Sequence, residues 1–254
     1  MKLRIGVVCS VVVGLAADVS TGRIQEAAAK AVVIIQKSQQ NWYTKQSCFS
    51  CHQQGLPALA FQYAREHRIP VDERAAQTDA AAAFRLYTDF AQAVEYTHII
   101  DPALNDSYGL LAANAAGFRA NLTTAVYARL IAARQEPDGH WETGDDRPPQ
   151  SYSPFTTTAI SLRAIQIYSH ASQQADTRAR VARARTWLTS RQPHATEERV
   201  DQLLGAAWAD ADRPTLRKMA AGLEATQQAD GGWNSLDGRP SDAYSTGPRL
   251  GGPP

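Results

Sequence analysis

Cysteine is scarce in this chain: there are three in 254 residues, at Cys9, Cys48 and Cys51. Cys9 lies in an apolar N-terminal run, and the other two sit three positions apart, so a wider disulfide framework is excluded and the scaffold has to be held by its core. Net charge is also small. Lys plus Arg number 26 against 25 Asp plus Glu, which leaves no strong field to attract nucleic acid or an anionic membrane. Nucleic acid is therefore not an expected partner. Aromatic residues make up 8% of the chain, and methionine occurs twice, at Met1 and Met219. After the N-terminus no apolar run is long enough to cross a bilayer. No segment alternates apolar and polar residues as a half-buried strand would.

What is present begins with the N-terminus. Lys2 and Arg4 precede an almost wholly apolar or small stretch from Ile5 to Ala17, with Gly14-Leu15-Ala16 as a small-x-small cleavage site. This order of features predicts an export signal over residues 1–17 and a mature protein that is periplasmic or secreted. The remainder, 18–254, has the composition of one ordinary soluble domain, at 44% hydrophobic and 20% charged.

Repeats organise that domain. An aliphatic residue followed four positions later by Gln occurs at Ile35/Gln39, Ile131/Gln135, Leu188/Gln192 and Leu223/Gln227, each at a predicted helix end. Two copies continue alike, as Gln135-Glu-Pro-Asp138-Gly139-His-Trp141 and Gln227-Gln-Ala-Asp230-Gly231-Gly-Trp233. Gly permits a left-handed backbone at the helix end, Asp holds the turn, and Trp covers the next hairpin. The first copy has a shortened version ending at Trp42, and the third lacks the Trp loop.

Between the markers the apolar period is helical: Leu56, Leu59, Ala60, Tyr63 and Ala64 form one stripe, Val200 to Trp208 another, and Leu216 to Leu223 a third. Residues 155–168 are apolar on more than one face, as in an inner-layer helix. Ser153-Pro154, Thr196 with Glu197 and Glu198, and Asp212 near Pro214 are helix starts. The fold class is all-α, built from helical hairpins.

These repeats resemble those of squalene-hopene cyclases and related α/α-toroid proteins, over roughly residues 23–247. The resemblance implies a ring or partial ring of paired helices in which the repeats are structural. Ser241 to Gly247 reads as the start of another helix that Pro248 interrupts, so the last repeat is expected to be incomplete.

The chemistry is concentrated in Cys48-Phe49-Ser50-Cys51-His52, the attachment pattern of c-type haem. Two thiols at this spacing reach the two vinyl groups of one porphyrin, and the adjacent imidazole becomes an axial ligand to the iron. The residues resemble a c-type cytochrome's binding motif, though the repeats do not resemble the small cytochrome c fold. Leu56, Leu59 and Tyr63 follow His52 at helical spacing and are candidates for an apolar wall beside the macrocycle.

Three rival readings are weaker. A zinc site needs a second ligand pair, a thiol–disulfide site normally follows a strand, and a disulfide across two residues stabilises little.

The sixth iron ligand is open between several residues. Met219 lies on an apolar stripe, where packing is the simpler role, and His67 is about 22 Å along the same helix from His52. His140 and His194 occupy connections equivalent to the one holding the motif, which His98 and His170 do not. Stacked hairpins place equivalent loops on one rim, so His140 is the best candidate and His194 the runner-up.

The expected function is electron transfer by a protein with one covalent haem c, acting with a redox partner protein. Two alternatives remain: a haem-based sensor or binding module, and a terpenoid cyclase-like enzyme. The cyclase family's acid motif is Asp-x-Asp-Asp, and here Asp210-Ala-Asp212-Arg213 puts Arg at its last position, which weakens a neighbouring acid. Asp145-Asp146 in a Pro-rich loop reads as two solvated carboxylates.

Overall fold

The structure is a computed structural model that describes residues 20–43, 45, 50–95, 102–144, 147, 152–236 and 238–250. The signal expected over 1–17 lies outside the described residues. In chain order the α-helices are α1 (Thr21–Tyr43), α2 (Leu56–Glu66), α3 (Glu73–Ala83), α4 (Phe90–Glu95), α5 (Pro102–Ala115) and α6 (Leu122–Ala133), followed by α7 (Pro154–Tyr168), α8 (Gln174–Ser190), α9 (Thr196–Trp208), α10 (Arg213–Glu224) and α11 (Ala243–Leu250). A π-helical turn over Cys51–Gly55 leads directly into α2. No β-strand occurs among the described residues, and the fold is all-α.

The helices form two layers. In one row α2, α5, α7, α9 and α11 pack each on the next, while α6 lies against α5 and α7, α8 against α7 and α9, and α10 against α9. This alternation of row and outer helix is how a toroid or partial toroid of hairpins is built. The main core fills the space between the layers, with Leu110, Ala128, Ile131, Trp141, Leu162, Ile165, Ala184 and Leu188 all buried there.

Helix α7 is the centre of the row. Every residue from Phe155 to Leu162 is buried, as expected of an inner helix. Four of these residues are Thr156, Thr157, Thr158 and Ser161, and buried hydroxyls need partners. Ser161 Oγ meets Ser107 Oγ of α5 at 3.0 Å, Thr157 Oγ1 donates to Ser153 O, and Thr158 Oγ1 accepts from the backbone of Trp141. Ser153 caps the helix by accepting from Phe155 N, with Pro154 in the first turn, and Asp212 caps α10 in the same way from Thr215 N.

The two Gln-x3-Gly-x-Trp loops superpose in their bonding. Trp141 Nε1 donates to Ile131 O at 2.7 Å and Trp233 Nε1 to Leu223 O at 3.0 Å, in each case the carbonyl of the marker aliphatic residue. The Trp backbone N–H donates to Thr158 Oγ1 of α7 in the first loop and to Thr246 Oγ1 of α11 in the second. Gln135 and Gln227 each close their loop on the carbonyl of the glycine, Gly139 (φ 111°) or Gly231 (φ 83°). In the third marker, which has no Trp, Gln202 Nε2 of α9 takes over and donates to Leu188 O at 2.7 Å.

Two details differ from the sequence reading. Helix α11 begins where expected, with Ser245 N donating to Asp242 Oδ1, but it passes Pro248 and ends at Leu250. A single proline costs that short helix one backbone bond, which is survivable. The expected stripe on α2 also divides. Its buried residues are Pro57, Ala58, Phe61 and Ala64, while Leu56, Leu59 and Ala60 are only partly buried and Tyr63 is 49% exposed.

Candidate functional site

Cys48 lies outside the described residues, and for Cys51 and His52 only the backbone is described. That backbone is the wide turn before α2. Ser50 O accepts from both Gln54 N (2.9 Å) and Gly55 N (3.2 Å), and the Gln54 side chain locks the turn by accepting from Ser50 N at 2.7 Å. Ser38 Oγ of α1 donates to Gln53 Oε1 at 2.8 Å and ties the turn to α1. Single π-helical turns recur at functional sites, where they re-aim side chains. Gln54 is fully buried, and its Nε2 has no hydrogen-bond partner among the described residues.

The apolar positions that follow His52 divide in a useful way. Leu56 and Leu59 touch the cluster of Leu104, Tyr108, Leu111 and Ile160, yet both keep accessible surface, and Tyr63 is exposed. An apolar strip of α2 that starts beside the Cys-His turn thus keeps part of its surface accessible.

The two candidate distal histidines lie in the α6–α7 and α8–α9 connections, both of which lead from the outer layer into the row. His140 is largely buried and fully engaged: its Nδ1 meets Asp138 Oδ1, its Nε2 meets Glu142 Oε1 at 2.7 Å, and its ring stacks on Trp187 at 5.1 Å. Coordination of a metal by His140 would require one of these carboxylates to give way. Burial draws its pKa down, and the bonds to Glu142 and Asp138 outweigh this and leave it raised above 6.5. His194 is exposed, with its backbone N–H donating to Glu198 Oε2 at 2.6 Å. Met219 is partly buried on α10, His170 caps a short turn by accepting from Ser172 N, and His98 lies outside the described residues.

A second cluster was not anticipated from the sequence. The N-terminal halves of α7, α9 and α11 meet and bring together Thr156, Glu197, Asp201 and Tyr244. Thr156 Oγ1 lies 2.6 Å from Asp201 Oδ2 and 3.1 Å from Glu197 Oε1, and Tyr244 Oη lies 3.3 Å from Glu197 Oε2. Ser153 Oγ donates to Glu198 Oε1, and the buried hydroxyl of Tyr152 has no partner among the described residues. Burial pushes Glu197 above the ordinary carboxylate range, and the charge of Asp201 adds to the effect; burial likewise raises Asp201. Burial and the neighbouring carboxylates also raise both phenols.

The signal for this cluster was in the sequence. Glu197, Asp201, Leu204 and Trp208 recur at helical spacing, which places two acids on the apolar stripe of α9. Reading Glu197 and Glu198 together as a helix start concealed it. Among the described residues no group of three or more His, Cys, Asp or Glu side chains is placed to hold a metal ion.

Elsewhere Asp106 of α5 is buried, which raises it to about 7 against the opposing charge of Arg134. Asp212, the middle of the motif compared with the cyclase acid, has its pKa lowered by the bonds from Thr215 and acts as a cap. Asp145 and Asp146 lie outside the described residues. No described helix is long and apolar enough to cross a membrane. No protein-family model, curated protein or solved structure matches this chain.

Proposed function

We propose that this chain is an exported, monohaem c-type protein that transfers electrons to or from a partner protein. The observation that carries the reading is the pairing of the Cys48-x-x-Cys51-His52 donor set with the partly accessible apolar strip of α2 that follows it. Two thiols and an imidazole in this order suit a haem and leave a zinc ion short of ligands. A flat apolar cofactor also needs a wall, and a partly accessible apolar strip beside its attachment point is suited to that.

In this reading Cys48 and Cys51 carry the thioether links and His52 ligates the iron. Gln54 holds the turn by accepting from Ser50 N, and Leu56, Leu59 and Tyr63 flank the macrocycle. When bound, the haem supplies one-electron chemistry at its iron. Export, expected from the N-terminus, is where such attachment and a thiol pair of this kind belong.

The test is the intact mass of protein made in an exporting, haem-ligating host. It should exceed the chain by one haem, and acid-acetone should not extract that haem. A correctly exported protein that lacks the added mass, or that holds stoichiometric zinc, refutes the proposal. Resonance Raman spectra of the same protein and of its His140→Ala, His194→Ala and Met219→Leu variants then identify the sixth ligand. Bis-histidine ligation through His140 predicts that His140→Ala alone loses the low-spin signature. A wild type that is already high-spin with an open site favours the sensor reading.

A further inference from the structure

We propose that Glu197 is held as a neutral carboxylic acid whose proton ties it to Thr156 of α7 and so keeps in place the oxygen to which Tyr244 of α11 donates, so that removing this proton loosens the last helix of the row. Hydrogen counting leads to this assignment. The Thr156 hydroxyl has one hydrogen, yet Thr156 Oγ1 lies within bonding distance of carboxylate oxygens on two residues, Asp201 Oδ2 at 2.6 Å and Glu197 Oε1 at 3.1 Å. The hydroxyl donates along the shorter contact, to Asp201. The longer contact is then a bond only if Glu197 supplies the proton, by donating to the hydroxyl oxygen. Tyr244 completes the chain by donating to the other oxygen of Glu197 at 3.3 Å. The sequence of donors is Tyr244 to Glu197, Glu197 to Thr156 and Thr156 to Asp201. It crosses α11, α9 and α7, with one negative charge at its Asp201 end.

The surroundings favour that single charge. Among the described residues the titratable groups facing the pair are Glu198 on α9 itself, Tyr152 just before α7 and Tyr244 on α11, and none of these is cationic. The outer helices α8 and α10 also pack on α9, but no cation from either acts on Glu197 or Asp201. A second charge in this buried pair would face the first without compensation.

The rest of the bonding of α11 is to its own repeat loop. Thr246 accepts from Trp233 N, Asp242 binds Ser235, and Ser245 meets Ser235. Among the described residues the side-chain hydrogen bond from α11 to α9 is the one between Tyr244 and Glu197. An ionised Glu197 would still accept from Tyr244, but it could no longer donate to Thr156. Repulsion from Asp201 and Glu198 would then push its side chain out of the chain.

The experiment is amide hydrogen exchange of residues 243–247 in the full chain, expressed as protection relative to intrinsic rates, at about pH 5 and about pH 9. Wild-type protection should fall by about tenfold for each unit by which folding raises the acid. Glu197→Gln keeps a neutral donor and acceptor, so its protection should stay high at both values. Tyr244→Phe should be weakly protected at both. Wild-type protection that does not change with pH overturns the latch, and so does a Glu197→Gln variant as pH-sensitive as wild type. Should Glu197→Gln fail to fold, Tyr244→Phe still decides, because protection equal to wild type at both values removes the latch.

Discussion

The loops ending at Trp141 and Trp233 use one local code in two different settings. Each closes on its Gln side chain, turns at a left-handed glycine and ties its indole back to the marker carbonyl, with near-equal bond lengths. Their surroundings differ. Trp141 is fully buried beneath α7 and α8, Gln135 also binds Arg180 O and Arg183, and Arg180 Nη1 reaches Ala132 O. Trp233 packs in a small cluster with Val200 and Leu223, and among the described residues the Gln227 side chain closes only its own loop. Local chemistry sets the shape of the loop, while the neighbouring helices set how much it stabilises the molecule. The first loop should therefore be the stronger staple.

The largest test of that difference is indole removal. Trp141→Ala should destabilise by about 4–5 kcal/mol, because it empties a fully enclosed site and removes the indole bond to Ile131 O, which keeps only its backbone bond from Arg134 N. Trp233→Ala should cost about 3 kcal/mol, since its cluster lies at the edge and can relax. Denaturant midpoints at constant slope measure both. Equal losses would show that packing by the outer layer adds nothing to the code.

Glycine replacement sharpens the comparison at a smaller scale. Both glycines have positive φ, so alanine is strained at either, by about 1 kcal/mol. At Gly139 a Cβ would also lie 2.5 Å from Arg183 O, a backbone atom of α8, whereas at Gly231 the nearest atom is the side-chain Nε2 of Gln227, at an ordinary 4.0 Å. Gly139→Ala should thus cost about 2–4 kcal/mol and Gly231→Ala about 1 kcal/mol. Similar values for the two would mean that α8 yields easily.

The same contrast explains what could be read from the sequence. Gln, Gly and Trp at fixed spacing specify bonds within a few residues, so both loops were legible, as were the caps at Ser153 and Asp212 and the buried α7. The partners Thr158 and Thr246 belong to helices further along the chain, and nothing local marks a threonine that will accept from a distant tryptophan. Gln202 replaces a missing indole from the opposite side of its hairpin, so the third repeat looked defective in sequence while its carbonyl is satisfied in the fold. The Cys-His motif was equally legible because its spacing is local. Choosing its distal partner needed tertiary distances, and the acid pair at Glu197 and Asp201 was hidden under a helix-start pattern. The short α3 and α4 also gave no periodic signal of their own.

The smallest effect separates the loops by pH. His140 of the first loop occupies the place of Gly232 in the second, between the left-handed glycine and the tryptophan. Only the first loop therefore carries a titrating group at that position. Folding raises His140 above its ordinary value, as the bonds from Glu142 and Asp138 outweigh burial. A group raised in this way stabilises fully below its unfolded pKa of about 6.5, and that contribution is lost as pH rises through the folded value. Asp138 behaves in the opposite sense. Burial would raise it, but the bonds from His140 and Arg191 lower it, so its contribution is lost as pH falls below about 3.8. The pair is partly solvated, which limits the His140 contribution to about 1 kcal/mol or less, or about 2–4 °C in a chain of this size. Wild type should therefore lose a few degrees of Tm relative to His140→Gln as pH is raised from about 6 to about 8.5. A Gly232→Ala variant, compared with wild type over the same range, should show no change in that pH-dependence, even though its Cβ would crowd Ser241 and lower Tm throughout. If His140→Gln retains the full wild-type slope, the pH-dependence in this range comes from the raised acids, Asp106 and the Glu197–Asp201 pair, which lose stability in the same direction as their protons leave.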